Sequence, residues 1–139
     1  MAGVLEEIVA FLDSEGLGTA GTDLFTAKMP TAPPACGVIY ETGGNSPDPG
    51  FGSSAARFES PAIQVVFRGA KEDYDGPRAQ AKTAWNSLLS VSPVTALSGT
   101  IYHWIHPPHS PFVLEEPTAK NLNRWSIACN YNVEKELTA

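Results

Sequence analysis

The sequence predicts an α+β fold: a mainly antiparallel sheet with two helices packed on one face and a long loop between its second and third strands. Two segments with helical apolar spacing, one at the start and one near the middle, predict the helices. Short runs that alternate apolar and polar residues predict the strands around them. Residues 1–139 are expected to form a single domain, a length that can close one hydrophobic core.

The first helix is expected over Val4–Ser14, where Val4, Ile8, Phe11 and Leu12 recur at helical spacing and Glu6, Glu7 and Asp13 fall on the other side. Its early acidic residues suit the positive end of the helix dipole, and Gly16 and Gly18 stop it. A short strand over residues 23–29 is closed by the Pro-rich segment MPTAPPACG. Val38, Ile39 and Tyr40 make a second, β-branched and aromatic strand. Residues 41–61, ETGGNSPDPGFGSSAARFESP, read as a loop rich in Gly, Ser, Pro and Asn. Loops of that length are uncommon inside a domain and are usually functional or disordered.

Residues 62–68 form the clearest strand, with Ile63, Val65 and Phe67 on one face and Gln64, Val66 and Arg68 on the other, as in a half-buried antiparallel sheet. Asp73, Asp75 and Pro77 signal the start of the second helix, an acidic first turn followed by a Pro whose missing N–H costs nothing there. Over residues 78–91, Ala81, Ala84, Trp85, Leu88 and Leu89 form its apolar stripe. After Pro93 come a strand at 100–105, a break at HPPHSPF, a short strand at 112–114 and a long two-faced strand at 124–134.

Charge narrows the function. Fifteen acidic and nine basic side chains leave a net charge of −6, and the basic residues are scattered singly. Tight nucleic-acid binding requires clustered Lys and Arg to displace counterions, so lasting DNA binding is not expected. No run approaches the roughly 20 apolar residues that span a bilayer, and Glu6 and Glu7 stand where a secretory signal needs positive charge. The reading is a soluble intracellular product with no membrane partner, whose Cys36 and Cys129 stay reduced.

The catalytic motifs are incomplete. His103, His106 and His109 have H-x-x-H-x-x-H spacing, but strand residues three apart face opposite ways and Pro107-Pro108 separates the last two. No metal site is expected there. Gly43-Gly44 and Gly50-Phe51-Gly52 lack the Lys and following helix of a phosphate loop, and no G-x-S-x-G elbow is present. Cys129 falls on the apolar face of the last strand, where a thiol behaves as a small hydrophobe. No cofactor and no catalytic residue is called for. Trp85 reads as core, while Trp104 and Trp125 suit core or interface equally.

The segments VLEEIVAFLDSEGLGTAGTDLF, VIYETGG, PAIQVVFRG, the Trp-containing helix, HSPFVLEE and NRWSIACNYNVEKE together resemble small bacteriophage proteins labelled minor capsid protein or tail terminator. The resemblance implies a virion protein of the tail or neck, assembled in the host cytoplasm, with no catalytic residues. It implies a self-assembling ring, a homohexamer, that ends the tail tube, contacts the tail tube protein and the head-tail connector protein, and lets DNA pass without specific binding. A head-completion (neck) subunit is the alternative in the same particle. A small enzyme or ligand-binding domain using the three His and the Gly-rich loop is the alternative outside it. Expected subunit contacts are Gly43, Gly44, Asn45, Asp48, Phe51, Arg57 and Phe58 in the loop, with His106, His109 and Phe112 near the late strand break. Loops and strand edges are natural interface material.

Overall fold

A computed structural model describes residues 3–49, 56–91, 95–97 and 100–136. Its elements are α1 (Val4–Ser14), β1 (Leu24–Thr26), β2 (Cys36–Pro49), β3 (Ala56–Lys71), α2 (Asp75–Leu89), β4 (Thr95–Leu97), β5 (Thr100–His106), β6 (Phe112–Glu115) and β7 (Arg124–Glu136). The strands form one seven-stranded sheet of order β1-β2-β3-β7-β5-β4, with β6 paired to β7. Every pairing is antiparallel except β1 with β2. The α+β class is as the sequence predicts.

Alternation decides what the sheet buries. Ile39, Val65 and Cys129 stand in register across β2, β3 and β7. They join Ile8 and Leu12 of α1 and Ala84 and Leu88 of α2 in one core cluster, so both helices cover the same face. Each of the Ile, Leu and Val side chains among them, fully buried, contributes roughly 1.5–3 kcal/mol. Trp85 is half-buried against that cluster, as expected of a core aromatic. Leu89, placed on the apolar stripe by its spacing, is exposed. Asp73 opens α2 by accepting the Gly76 N–H at 3.0 Å.

The opposite face is more covered than a half-buried sheet requires. Val38, Val66 and Ala128, also in register, are buried, and so is Arg68. The Pro-rich segment after β1 lies over this face. The Arg68 guanidinium donates to the carbonyls of Pro34 (2.8 Å), Pro33 (2.8 Å) and Thr31 (3.3 Å), and Arg124 adds a second donor to Thr31 at 3.0 Å. Prolines bring carbonyls without N–H donors, so an acceptor-rich strap is matched by the one side chain that offers five donors.

Most of the segment expected to be loop carries strand pairing. The β2–β3 ladder continues through Gly44↔Pro61, Asn45↔Ser60, Asp48↔Phe58 and Pro49↔Ala56, with register shifts at Glu41/Gly43, Asn45/Asp48 and Asp48/Pro49. The connection itself, residues 50–55, lies outside the described residues. Bulges absorb the irregular Gly and Pro positions. On its other side β3 passes from Ala62↔Asn132 to Glu59↔Lys135, skipping Pro61, which has no N–H to give.

Candidate assembly surfaces

The residues put forward for subunit contacts fall on two separate surfaces. The first is the arm formed by the distal halves of β2 and β3. Gly43 and Gly44 have φ of +101° and +122°, values that L side chains rarely adopt, and both are exposed. A Cβ on Gly44 would stand 2.2 Å from the Ser60 carbonyl oxygen, so only Gly lets the two strands close there. Asn45 and Asp48 pair with Ser60 and Phe58, Arg57 lies within β3, and Phe58 is also opposite Glu136 of β7. Phe51 lies outside the described residues. β1 pairs only with Gly37, Val38 and Ile39, so among the described residues the outer edge of β2 is uncovered from Tyr40 onward.

A buried polar cluster sits at the base of this arm. Lys135 of β7 contacts Glu7 of α1 and Glu59 of β3, each at 3.1 Å. The Tyr102 hydroxyl donates to Glu7 at 2.8 Å, and the Thr100 hydroxyl donates to its other oxygen. Glu59, Lys135 and Tyr102 are cross-strand neighbours on β3, β7 and β5. Its charge suggests that Glu7 belongs on the outer side of α1, yet Glu7 and Lys135 are each only 1% exposed. Removing such charges from water is costly unless they are paired and hydrogen-bonded, as they are here. Burial, then the bond to Glu7, pushes the Tyr102 phenol well above its usual range, so it remains a neutral donor.

The second surface is the rim where β5 and β6 lie along β7. His106 ends β5 opposite Asn132 and is exposed beside Leu89 and Trp104. His109 is exposed and stacks edge-on with Phe112, ring centroids 5.2 Å apart, while its Nε2 lies 3.2 Å from Asn130 Nδ2. Phe112, Val113 and Leu114 of β6 are 36%, 39% and 42% exposed. Of the other two tryptophans, Trp104 is exposed, and Trp125 is half-buried with its ring edge-on to Tyr74.

The chemical groups disperse in the same way. His103 turns to Glu134 (3.0 Å) and Glu136 (3.8 Å), away from the other two imidazoles. Among the described residues no three His, Cys, Asp or Glu side chains gather as a ligand set. Cys129 comes near His109, but its thiol donates to the His109 carbonyl at 3.4 Å and lies 4.0 Å from Nδ1. Burial raises the Cys129 and Cys36 thiols above their ordinary range, the reverse of nucleophile activation. Among the described residues no helix is long and apolar enough to cross a membrane.

A family model described as bacteriophage tail terminator protein matches residues 11–136. No curated protein matches the chain.

Proposed function

The chain belongs to the bacteriophage tail terminator family, which makes it a structural component of the phage tail, and we propose that it works as one subunit of a closed ring. The ring is a homohexamer that caps the tail tube, stops its growth and presents a face to the head connector. Its partners are further copies of itself, the tail tube protein and the connector protein. The observation that carries this reading is the arm: a β2–β3 pair with an uncovered outer edge on β2, held to β7 on its inner side through Phe58↔Glu136 and the Lys135–Glu59 contact. A subunit with an arm at one place and a receiving surface at another joins its neighbours head to tail, and such contacts close into rings. Gly43, Gly44, Asn45, Asp48, Arg57 and Phe58 on the arm, with Phe51 in its connection, are assigned to subunit contacts, as are His106, His109 and Phe112 on the rim.

The net charge of −6 suits a channel that DNA traverses without adhering. Sedimentation and electron microscopy of the purified protein, alone and with tail tubes, test the reading. Six-membered rings at tube ends are expected; strictly monomeric protein in both settings overturns it.

A further inference from the structure

The sheet ends in two unlike surfaces. β6 exposes three consecutive apolar side chains, Phe112, Val113 and Leu114, followed by exposed Glu115 and Glu116. Contiguous exposed apolar strands are a liability that native proteins cover or charge. A cleft of about 720 Å³ opens between α1, β1 and the start of the Pro-rich strap, and its Met29–Thr31 end approaches Glu115 of the same chain. Val9, Leu24, Phe25, Met29 and Pro30 give it an apolar floor and walls, and Lys28 is exposed on its lining. The other charged lining residue, Glu6, turns its carboxylate back to the Gly3 N–H at 3.1 Å. Among the described residues Lys28 has no ion pair.

Resting on the ring reading, we propose that this cleft receives β6 of a second copy. β6 enters as a strand, so that Phe112 and Val113, which point to its opposite faces, meet opposite walls at Phe25 and Pro30, Leu114 seats against Met29, and Glu115 or Glu116 pairs with Lys28. Three features support the match. Both surfaces are short and apolar, their flanking charges are opposite, and the cleft and β6 share no residue, so one copy can offer both at once. An apolar patch that complements a pocket elsewhere on the same molecule makes a heterologous contact, which repeats in one rotational sense. The contact therefore sets the direction in which subunits follow one another, while the arm adds reach. Burying the apolar triplet supplies affinity, and the charge pair supplies register.

Two surface variants test it: Val113→Asp with Leu114→Asp on the rim, and Met29→Glu in the cleft. Each is checked for folding by its circular dichroism melt, then followed by sedimentation velocity. Each variant alone should associate at least about tenfold more weakly than wild type. Their equimolar mixture should stop at dimers, because each pair retains one intact contact. Either variant assembling as wild type does overturns the inference. Charge exchange covers the case in which an apolar-to-charged variant fails to fold. Lys28→Glu alone should weaken assembly, and Lys28→Glu with Glu115→Lys and Glu116→Lys should restore it; absence of rescue also overturns the inference. Wild-type protein that stays monomeric even on tail tubes removes the ring reading, whereas wild-type rings with unaffected variants remove only this contact.

Discussion

The Lys135 ammonium lies 3.1 Å from the Glu7 carboxylate, joining the first helix to the last strand across 128 residues of sequence. Glu7 also receives hydroxyls from Tyr102 and Thr100, and Lys135 also meets Glu59. The pair is therefore satisfied on both sides, the condition under which buried charge is tolerated.

Lys135→Met should destabilise the protein by about 3–5 kcal/mol, because it leaves Glu7 buried without its counter-charge. Glu7→Leu combined with Lys135→Met should recover most of that loss, since an apolar pair of similar volume removes the desolvation problem. Urea unfolding of the two variants measures both effects, and a double variant no better than the single would show that hydrogen bonding dominates over charge.

Arg68→Lys should loosen the Pro-rich strap. An ammonium cannot reach three carbonyls in the planar fork that the guanidinium uses. The expected cost is about 1–3 kcal/mol, with faster tryptic cleavage after Lys28 in native protein. Equal cleavage rates in the two proteins would mean that Arg124 and the strap's own packing suffice.

Gly44→Ala should cost more than Gly43→Ala. Both positions have positive φ, which a Cβ strains by roughly 1–3 kcal/mol, but only at Gly44 would the Cβ also strike the Ser60 carbonyl oxygen. Thermal unfolding of the two variants ranks them, and similar melting temperatures would place the Gly44 clash within the arm's freedom to shift.

Stability should fall as pH rises into the alkaline range. Cys36, Cys129, Tyr102 and Tyr131 all have acid groups raised above their ordinary values of 9.0 for the thiols and 10.0 for the phenols, chiefly by burial. Above those ordinary values the unfolded chain has released protons that the native state still holds, so the native state binds more and unfolding is favoured. Well below 9.0, the lower of those ordinary values, these groups contribute no pH dependence. Denaturant midpoints across pH 7–11 test this, and a flat profile would show that the groups reach solvent in the native state. The same burial predicts that both thiols react slowly with a disulfide reagent until urea is added.

Much of the core could be read from the chain. Alternation of Ile63, Val65 and Phe67, and of Ile127, Cys129, Tyr131 and Val133, identifies the helix-covered face because period two admits one assignment once one side is apolar. The arm could not be read in this way. Gly43, Gly44, Pro49 and Pro61 carry turn chemistry, and they pair as strands only because bulges and an uncovered edge tolerate missing donors and left-handed backbone. Glu7 misled for a different reason. It lies three residues after Val4 and four before Phe11, on the apolar side by angle, but its type points outward and its partner is beyond any local window. Composition singled out the proposed contact residues but gave no sign that they fall in two separate places, which depends on how β6 and β2 lie on opposite sides of β7 in the strand order.

The last described strand is also the middle of the sheet, with β3 on one side and β5 and β6 on the other. Seven strands therefore cannot close around residues 124–136 until the ribosome has made and released them. Everything upstream waits as an incomplete half-sheet, with α1 lacking the ammonium that neutralises Glu7. Folding of this kind is non-local, and slow compared with helical bundles of the same size. Because the edges proposed for self-association become presentable only when that strand is in place, joining of subunits must wait for residues 124–136 to emerge and pair. Emergence of that central strand would thus act as a timer on the proposed assembly.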